Sequence, residues 1–348
     1  MDMTAAVLSG IDDLALKRVP RPEPGPGEVL LRMEANTICG TDLRIISGAK
    51  TSGVRHGVVM GHEFAGRVEA VGEGVEGVPV GAQATCSIVL SCNHCPNCLN
   101  GREHLCENLR LFGYSIDGGM AEYMLVPREA MQNGNLVVVE NELPATLLAL
   151  TEPVSCVING ANQVRVQPGD SVVVLGTGPI GLLHIALAKL AGATKIFASG
   201  RAGRLEPALA LGATEAFDLT GEALTREVLA RTGGRGADVV IVAVGDLALA
   251  NQALQLAAIG GRVNYFAGFP KGSMAEMDPN IIHYNELVVS GGSNARRTDV
   301  RRAVELLSSG RLDVSSLVTH TFPLSDLDGA IAAVRDRAGL KVAVLPQA

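Results

Sequence analysis

One short segment constrains the fold of this chain more than any other. The apolar run Ser171–Leu175 leads directly into the glycine-rich turn GTGPIG at 176–181 and then into apolar residues at helical spacing up to Leu190. A continuously apolar strand that turns through glycines into a helix is typical of a parallel sheet covered on both faces. Such glycines let a dinucleotide pyrophosphate approach the backbone at the helix N-terminus. The predicted cofactor-binding residues of this turn are Gly176, Gly178, Pro179, Ile180 and Gly181.

The two halves of the chain differ in their hydrophobic pattern. After residue 168, apolar strands at 239–244 and 263–267 alternate with a helical pattern at 249–258. Before it, short stretches with period 2, such as 29–35 and 64–70, are separated by Gly and Pro turns, which predicts a β-rich domain. We therefore expect an α/β protein, with a β-rich domain over 1–153, a doubly wound parallel-sheet domain over 154–290 and a C-terminal segment over 291–348.

Two helices are predicted in the C-terminal segment. One runs from Thr298 or Asp299 to Ser309, with Gly310 as its stop. The other opens on the capping pattern Ser325-x-x-Asp328.

Charge and hydropathy exclude several classes of protein. The 348 residues include 29 Lys and Arg against 36 Asp and Glu, a net charge of −7, and 47% of them are hydrophobic. This balance argues against a nucleic-acid binder, a membrane-surface protein and a disordered chain. No apolar run reaches the ~18 residues of a membrane span, and no basic residue precedes an apolar stretch at the start of the chain. We expect a cytoplasmic protein.

Four cysteines form a metal-binding pattern. Cys92, Cys95, Cys98 and Cys106 lie in a turn-rich lobe at about 86–110. Four thiolates at CxxC spacing suit tetrahedral Zn²⁺ and leave no open coordination position, so this site is predicted to be structural. A redox pair, a disulfide and an iron–sulfur cluster are the less favoured alternatives.

Three further motifs are weak when taken singly. They are CGTD at 39–42, GHE at 61–63 and TEP at 151–153. A cysteine before glycine is usually a small buried apolar residue, and GHE often marks only a strand edge. Their meaning depends on a fold that brings them together.

The segment after the second predicted parallel strand addresses the choice of cofactor. An NAD site presents an acidic residue to the ribose about 20 residues beyond the glycine turn. Residues 194–205 contain no acid but include Ser199, Arg201 and Arg204, which are suited to a 2′-phosphate. This pattern favours NADP(H) over NAD(H). The alternative is that both arginines are merely solvated surface residues.

Together these motifs resemble the zinc-dependent medium-chain dehydrogenases/reductases, nearest to the sorbitol (polyol) and threonine dehydrogenase branch. The resemblance spans the chain: CGTDL at 39–43, GHEFAG at 61–66, DGGMAEY at 117–123, TEPVS at 151–155 and DPNIIHYNEL at 278–287, besides the cysteine lobe and the glycine turn. It implies a GroES-like catalytic domain and a Rossmann domain, with the C-terminal segment returning to the former.

The resemblance also assigns roles to individual residues. It implies that Cys39, His62 and Glu152 ligate a catalytic zinc, that Glu63 contacts this metal directly or through water, and that Thr41 begins a proton relay. The four lobe cysteines match the family's structural zinc, giving two zinc ions per subunit. Arg44 stands where relatives commonly carry a histidine that ends the relay, and arginine cannot act as a base near neutral pH.

The activity implied is that of an NAD(P)-linked oxidoreductase. It would interconvert a secondary alcohol, such as a polyol, cyclitol or sugar, and its ketone by hydride transfer, as a homotetramer or less favourably a dimer. An L-threonine 3-dehydrogenase-like or other alcohol dehydrogenase activity is the alternative. A zinc-ribbon module that binds nucleic acid is disfavoured by the GTGPIG turn and by the absence of a basic patch.

Overall fold

The computed structural model describes residues 1–348 as two compact units. The first combines Met1–Ser155 with Asn294–Ala348, and the second is Cys156–Ser293. The C-terminal segment therefore belongs to the first unit. No helix combines the length and the apolar character that a membrane span requires.

The chain forms eighteen strands and twelve α-helices. The strands are β1 Asp2–Gly10, β2 Asp13–Pro20, β3 Val29–Thr37, β4 Val58–Val59, β5 Glu63–Val71, β6 Gln83–Cys86, β7 Val89–Leu90, β8 Arg110–Leu111, β9 Tyr123–Val126, β10 Leu136–Val138, β11 Ser171–Leu175, β12 Lys195–Ser199, β13 Glu215–Phe217, β14 Ala237–Val242, β15 Ala257–Tyr265, β16 Val288–Gly291, β17 Val318–Pro323 and β18 Lys341–Leu345. The helices are α1 Gly40–Ile46, α2 Pro96–Leu99, α3 Arg128–Gln132, α4 Ala145–Ala149, α5 Thr151–Val164, α6 Pro179–Leu190, α7 Leu205–Leu211, α8 Gly221–Arg231, α9 Ala248–Leu256, α10 Pro279–Tyr284, α11 Arg297–Ser308 and α12 Leu327–Arg335.

A mixed sheet forms the centre of the first unit. Its strand order is β10-β6-β5-β3-β18-β17, with β9 also paired to β3, and β2-β1-β4 form a smaller sheet. The last strand of the chain, β18, pairs antiparallel with the end of β3, with Ala343 opposite Thr37. Alternate residues of β3 and β5, among them Leu31, Met33 and Phe64, are buried in the core. This pairing brings the last strand of the chain into the same sheet as β3 and β5.

The second unit is a doubly wound parallel sheet, which confirms the predicted fold class. Its six strands are ordered β13-β12-β11-β14-β15-β16 and all neighbouring pairs are parallel. Central strand β11 is buried along its whole length. Burial on both faces is the reason its sequence, SVVVL, is continuously apolar rather than alternating.

One predicted helix start is wrong. Residues Leu324–Asp326 form a 3₁₀ turn, and the helix α12 begins only after it. Its cap is Asp326, whose carboxylate accepts from the Gly329 N–H at 3.2 Å, rather than the predicted pair Ser325 and Asp328. Ser325 lies inside the 3₁₀ turn, one residue before the position that caps α12. It therefore cannot act as the N-cap of that helix.

Candidate active site and metal centres

Strand ends place two of the dispersed motifs side by side. Thr37, at the end of β3, is directly opposite Glu63, at the start of β5. Cys39 follows β3 as the N-terminal cap of α1, and His62 precedes β5. The ligand atoms of Cys39, His62 and Glu63 all lie within 4.8 Å of one another. The fold thus assembles a thiol, an imidazole and a carboxylate suited to a divalent metal.

Glycine is required immediately before His62. Gly61 has φ +93°, and a Cβ there would lie 2.4 Å from the side-chain oxygen of Asn36 and 2.8 Å from the backbone N of Met120. Only glycine combines that backbone conformation with so little space. The GHE motif therefore fixes where the imidazole enters the site.

Asp42 joins the cysteine to the histidine. One carboxylate oxygen accepts from the Cys39 N–H at 2.9 Å, and the other lies 3.1 Å from Nδ1 of His62. Burial lowers the pKa of His62, but the facing Asp42 carboxylate outweighs it and holds the pKa well above its usual value. With Nδ1 turned to Asp42, Nε2 is left for a metal, an arrangement common among zinc-binding histidines. Asp42 had no assigned role in the sequence analysis.

Glu63 is held by two neighbours. Lys341, at the start of β18, donates to both carboxylate oxygens, and the Thr37 hydroxyl donates to one of them. Burial lowers the pKa of Lys341, yet the attraction of Glu63 raises it overall. The sequence analysis missed Lys341. The available signal was a charged residue opening the otherwise apolar strand KVAVL.

Two predicted site residues lie outside this compact group. Glu152, in the first turn of α5, is not among the mutually close ligand atoms. It is near enough to act electrostatically on Tyr114 and Lys341, so it belongs to the same neighbourhood. Thr41 lies in α1, two residues beyond Cys39. The roles of Glu152 as a ligand and of Thr41 in proton transfer remain predictions.

The lobe cysteines form a second compact group. The four sulfurs of Cys92, Cys95, Cys98 and Cys106 lie within 4.8 Å of one another, and all four residues are free thiols. Sulfur separations of 3.5 Å for Cys95–Cys98 and 4.0 Å for Cys92–Cys98 are too long for disulfides. This argues against a disulfide staple and fits a tetrahedral metal.

Backbone and burial act differently on these thiols. N–H groups, first that of His94, lower the pKa of Cys92 to about 6, and a similar set lowers that of Cys95. Burial raises the pKa of Cys98 and Cys106. Holding all four as thiolates therefore calls for a cation among them, which is what Zn²⁺ supplies.

The glycine turn of the second unit is built for close approach. A Cβ on Gly181 would lie 1.8 Å from the Gly176 carbonyl oxygen, whereas a Cβ on Gly178 would meet no atom within 4 Å. The third glycine of the motif thus packs helix against strand, and the second faces open space. Pro179 is the first residue of α6, and the helix N-terminus has no side-chain cap. These features fit a cofactor pyrophosphate.

The three residues predicted to bind a 2′-phosphate at the end of β12 and after it differ in how available they are. Ser199 is buried, and its hydroxyl donates to the Leu219 carbonyl at 2.6 Å, so that proton is already engaged. Arg201 is exposed just beyond the strand, and Arg204 is partly buried in the following 3₁₀ turn. Arg201 is the better placed of the three for an added phosphate.

Two family models match the chain. Residues 25–133 match the alcohol dehydrogenase GroES-like domain, and residues 179–309 match the zinc-binding dehydrogenase domain. Among curated proteins, an L-threonine 3-dehydrogenase of Pyrococcus abyssi is 35% identical over 313 residues, covering 88% of this chain and 87% of that protein. Its counterpart in Bacillus subtilis is 32% identical over 336 residues, covering 95% and 94%.

Solved structures resemble the chain over nearly its full length. A protein from Sinorhizobium meliloti 1021, described as a zinc-binding dehydrogenase and bound to NADP, has a TM-score of 0.92 at 34% identity and covers 99% of this chain and all of its own. The 2R,3R-butanediol dehydrogenase of Bacillus subtilis has a TM-score of 0.89 at 30% identity, with 99% of each chain covered.

Proposed function

Because the chain belongs to the zinc-dependent medium-chain dehydrogenases and is an oxidoreductase of the alcohol dehydrogenase type, we propose that it interconverts a secondary alcohol and its ketone with NADP(H). The observation that carries the proposal is the convergence of Cys39, His62 and Glu63 within 4.8 Å. A purely structural role would leave this second group of metal-binding side chains, in addition to the four cysteines, without a function.

The chain's own residues divide the work at this centre. Cys39, His62 and Glu152 would hold the zinc, and Glu63 would contact it directly or through water. Asp42 orients His62 through Nδ1. When bound, zinc acts as a Lewis acid that makes an alcohol easier to deprotonate or a ketone easier to reduce.

Proton transfer starts at the hydroxyl of Thr41 in this proposal. Arg44, the residue where a terminal base is expected, lies exposed on α1 and has no basic function near neutral pH. Solvent water or another group therefore takes the proton beyond Thr41.

The substrate is proposed to be a polyol, cyclitol, sugar or related secondary alcohol. The TEPVS motif at 151–155 favours this branch. L-threonine is the second candidate, because the L-threonine 3-dehydrogenases above are 32–35% identical to this chain. Both substrates are secondary alcohols, so both use the same chemistry.

NADP(H) is the proposed cofactor, and the structural neighbour bound to NADP supports it. Within the chain, the support comes from Arg201, whose exposed guanidinium can pair with a 2′-phosphate, and from the absence of any acid at 194–205. Nicotinamide supplies the hydride acceptor or donor when bound.

A homo-oligomer, in the form of a tetramer, is proposed for the active protein in the cytoplasm. Edge strand β16 has a neighbour on one side only, and Val288 and Val289 are exposed on it. An unpaired edge strand that carries exposed apolar residues can pair with a strand of another chain. Light scattering on protein that elutes from a size-exclusion column measures the mass of the assembly, and so the number of subunits.

A substrate panel tests the proposed activity. Polyols, aminocyclitols, sugars, L-threonine and simple secondary alcohols are each assayed with NADP⁺ and NAD⁺ by the absorbance of the reduced cofactor. We expect turnover of at least one secondary alcohol, with higher kcat/KM for NADP⁺. Primary alcohols serve as negative controls.

A single variant separates catalysis from folding. Cys39→Ser is expected to abolish turnover while the circular dichroism spectrum and solubility are kept. Insoluble Cys39→Ser protein would identify this cysteine as a core residue instead. No turnover by wild-type protein holding two zinc ions would refute the proposal.

A further inference from the structure

Lys50 lies beside the candidate catalytic centre, on the segment that follows α1. Its Nζ is 5.6 Å from the centroid of the Tyr114 ring. That ring is buried, and its centroid is 5.2 Å from that of the His62 imidazole. Lys50 and the predicted zinc ligand His62 therefore contact the same aromatic side chain.

The ammonium group of Lys50 has no partner of opposite charge. Its side chain is only partly buried, and it forms neither an ion pair nor a hydrogen bond within the chain. Two carboxylates of the site are already engaged, Glu63 by Lys341 and Asp42 by His62. Lys50 is thus a positive charge without an ion-pair partner, on the aromatic ring that also contacts His62.

The surrounding segment leaves this charge unneutralised. Residues 43–62 contain three Lys and Arg residues and no Asp or Glu, although the whole chain has a net charge of −7. Arg55 ties the segment to the Tyr114 loop, because its backbone N–H donates to the Tyr114 carbonyl and its guanidinium pairs with Asp117, both at 2.8 Å. The segment that carries Lys50 is therefore anchored to the Tyr114 loop at Arg55.

A structural role uses little of what Lys50 offers. A cation–π contact with tyrosine is weak at partly exposed sites and leaves the three N–H donors of the ammonium unused. A lysine is a point charge on a flexible stem, which suits an anionic group presented in varied geometries. The ammonium group is therefore free to bind an anion from outside the chain.

We propose that Lys50 binds a carboxylate of the substrate, so that the secondary alcohol is a hydroxy acid. This inference rests on the proposed function and, among the secondary alcohols considered there, favours hydroxy acids such as L-threonine over neutral polyols. The alcohol carbon faces the metal-binding residues, and the carboxylate end faces Lys50.

Matched substrate pairs test the inference. L-threonine and L-threoninol, 3-hydroxybutyrate and 1,3-butanediol, and gluconate and sorbitol each exchange a carboxylate for a hydroxymethyl group. For at least one pair, the wild-type kcat/KM is expected to be about 10- to 100-fold higher for the acid, the range of one charge-assisted contact. Lys50→Met is expected to lose this preference and to keep the kcat/KM of the neutral alcohol within about twofold.

Two further variants serve as controls. Lys50→Arg is expected to retain most of the preference because it keeps the charge. Lys17→Met removes an exposed lysine that bonds Ser9 and should leave every value unchanged. Equal losses on acid and alcohol in Lys50→Met, or a raised KM for the cofactor with the preference intact, would overturn the inference.

Calorimetric titration with the same six compounds separates this inference from the proposed function. An acid that binds wild type but not Lys50→Met supports the inference even without turnover, and then the proposed function alone fails. If neutral alcohols are turned over in preference to acids, or if no acid binds, the inference is overturned and the proposed function stands.

Discussion

Lys341 donates to both carboxylate oxygens of Glu63 across 278 residues of sequence, and the two side chains are only 5% and 1% exposed. The contact exists because β18 joins the sheet next to β3, whose last residue, Thr37, is paired with Glu63. The C-terminal strand is therefore part of the candidate active site.

Breaking this buried pair should destabilise the first unit. Lys341→Met leaves the Glu63 carboxylate buried without its cation, and removing one partner of such a pair typically costs about 3–5 kcal/mol. Urea unfolding of zinc-loaded protein measures the loss. The double variant Lys341→Met with Glu63→Gln should regain part of the lost free energy of unfolding, because no unpaired buried charge remains.

The exposed Lys17→Met is the matched control and should change the free energy of unfolding by less than about 0.5 kcal/mol. Strictly additive effects of Lys341→Met and Glu63→Gln would mean that the two groups do not stabilise each other.

Metal content should divide between the two centres. We expect two zinc ions per chain in wild type, one in Cys98→Ala and one in Cys39→Ala, since each variant removes a ligand from a different group. Cys86→Ala is the control, because Cys86 is a buried core residue that belongs to neither group of close ligand atoms, and it should keep two. Elemental analysis of dialysed protein gives the counts. Cys98→Ala that keeps both ions would exclude the four-thiolate site.

Local sequence patterns predicted what depends on local structure. The strand Ser171–Leu175 was predicted to the residue, because burial on both faces leaves a continuous apolar run between turn signals. The four-cysteine lobe was equally accessible, since its ligands lie within one short segment.

Contacts set by sheet register or by neighbouring loops were beyond the sequence. Nothing local to Lys341 indicates that its strand lies next to β3 and that it therefore meets Glu63. The Ser199 hydroxyl, expected to bind phosphate, instead bonds the Leu219 carbonyl, twenty residues away. The start of α12 is a further case, because the 3₁₀ turn before it includes Ser325, the residue expected to cap the helix.

Arg201 should control the choice between the two cofactors. Loss of one charge-assisted contact to a 2′-phosphate is worth about 1.5–3 kcal/mol, so Arg201→Ala should raise the KM for NADP⁺ roughly 10- to 100-fold. The KM for NAD⁺ should stay nearly unchanged because NAD⁺ lacks that phosphate. Steady-state kinetics with both cofactors measure the ratio.

Arg226→Ala is a suitable control, since Arg226 is an exposed arginine on α8 of the same unit. An equal rise for both cofactors in Arg201→Ala would instead assign Arg201 to a part of the dinucleotide that they share.

His184 should make the second unit sensitive to acid. Its ring is buried against Phe266, with centroids 4.7 Å apart, and neither ring nitrogen has a hydrogen-bond partner. Burial lowers its pKa to about 3. The unfolded chain, with an ordinary pKa of about 6.5, takes up a proton that the folded chain refuses, so stability falls as pH drops below about 6.5.

Between pH 7 and pH 5 this effect amounts to about 2 kcal/mol for wild type. In His184→Leu that contribution is absent, so its free energy of unfolding should fall less over the same interval, by about that amount. Both proteins contain the metal centres. The loss of stability that acid causes at those centres is therefore the same in both and cancels in the difference between wild type and His184→Leu. His283→Leu, which removes an exposed histidine of the same unit, should follow wild type. Parallel pH profiles for wild type and His184→Leu, measured by urea unfolding, would show that His184 is protonated in the folded protein.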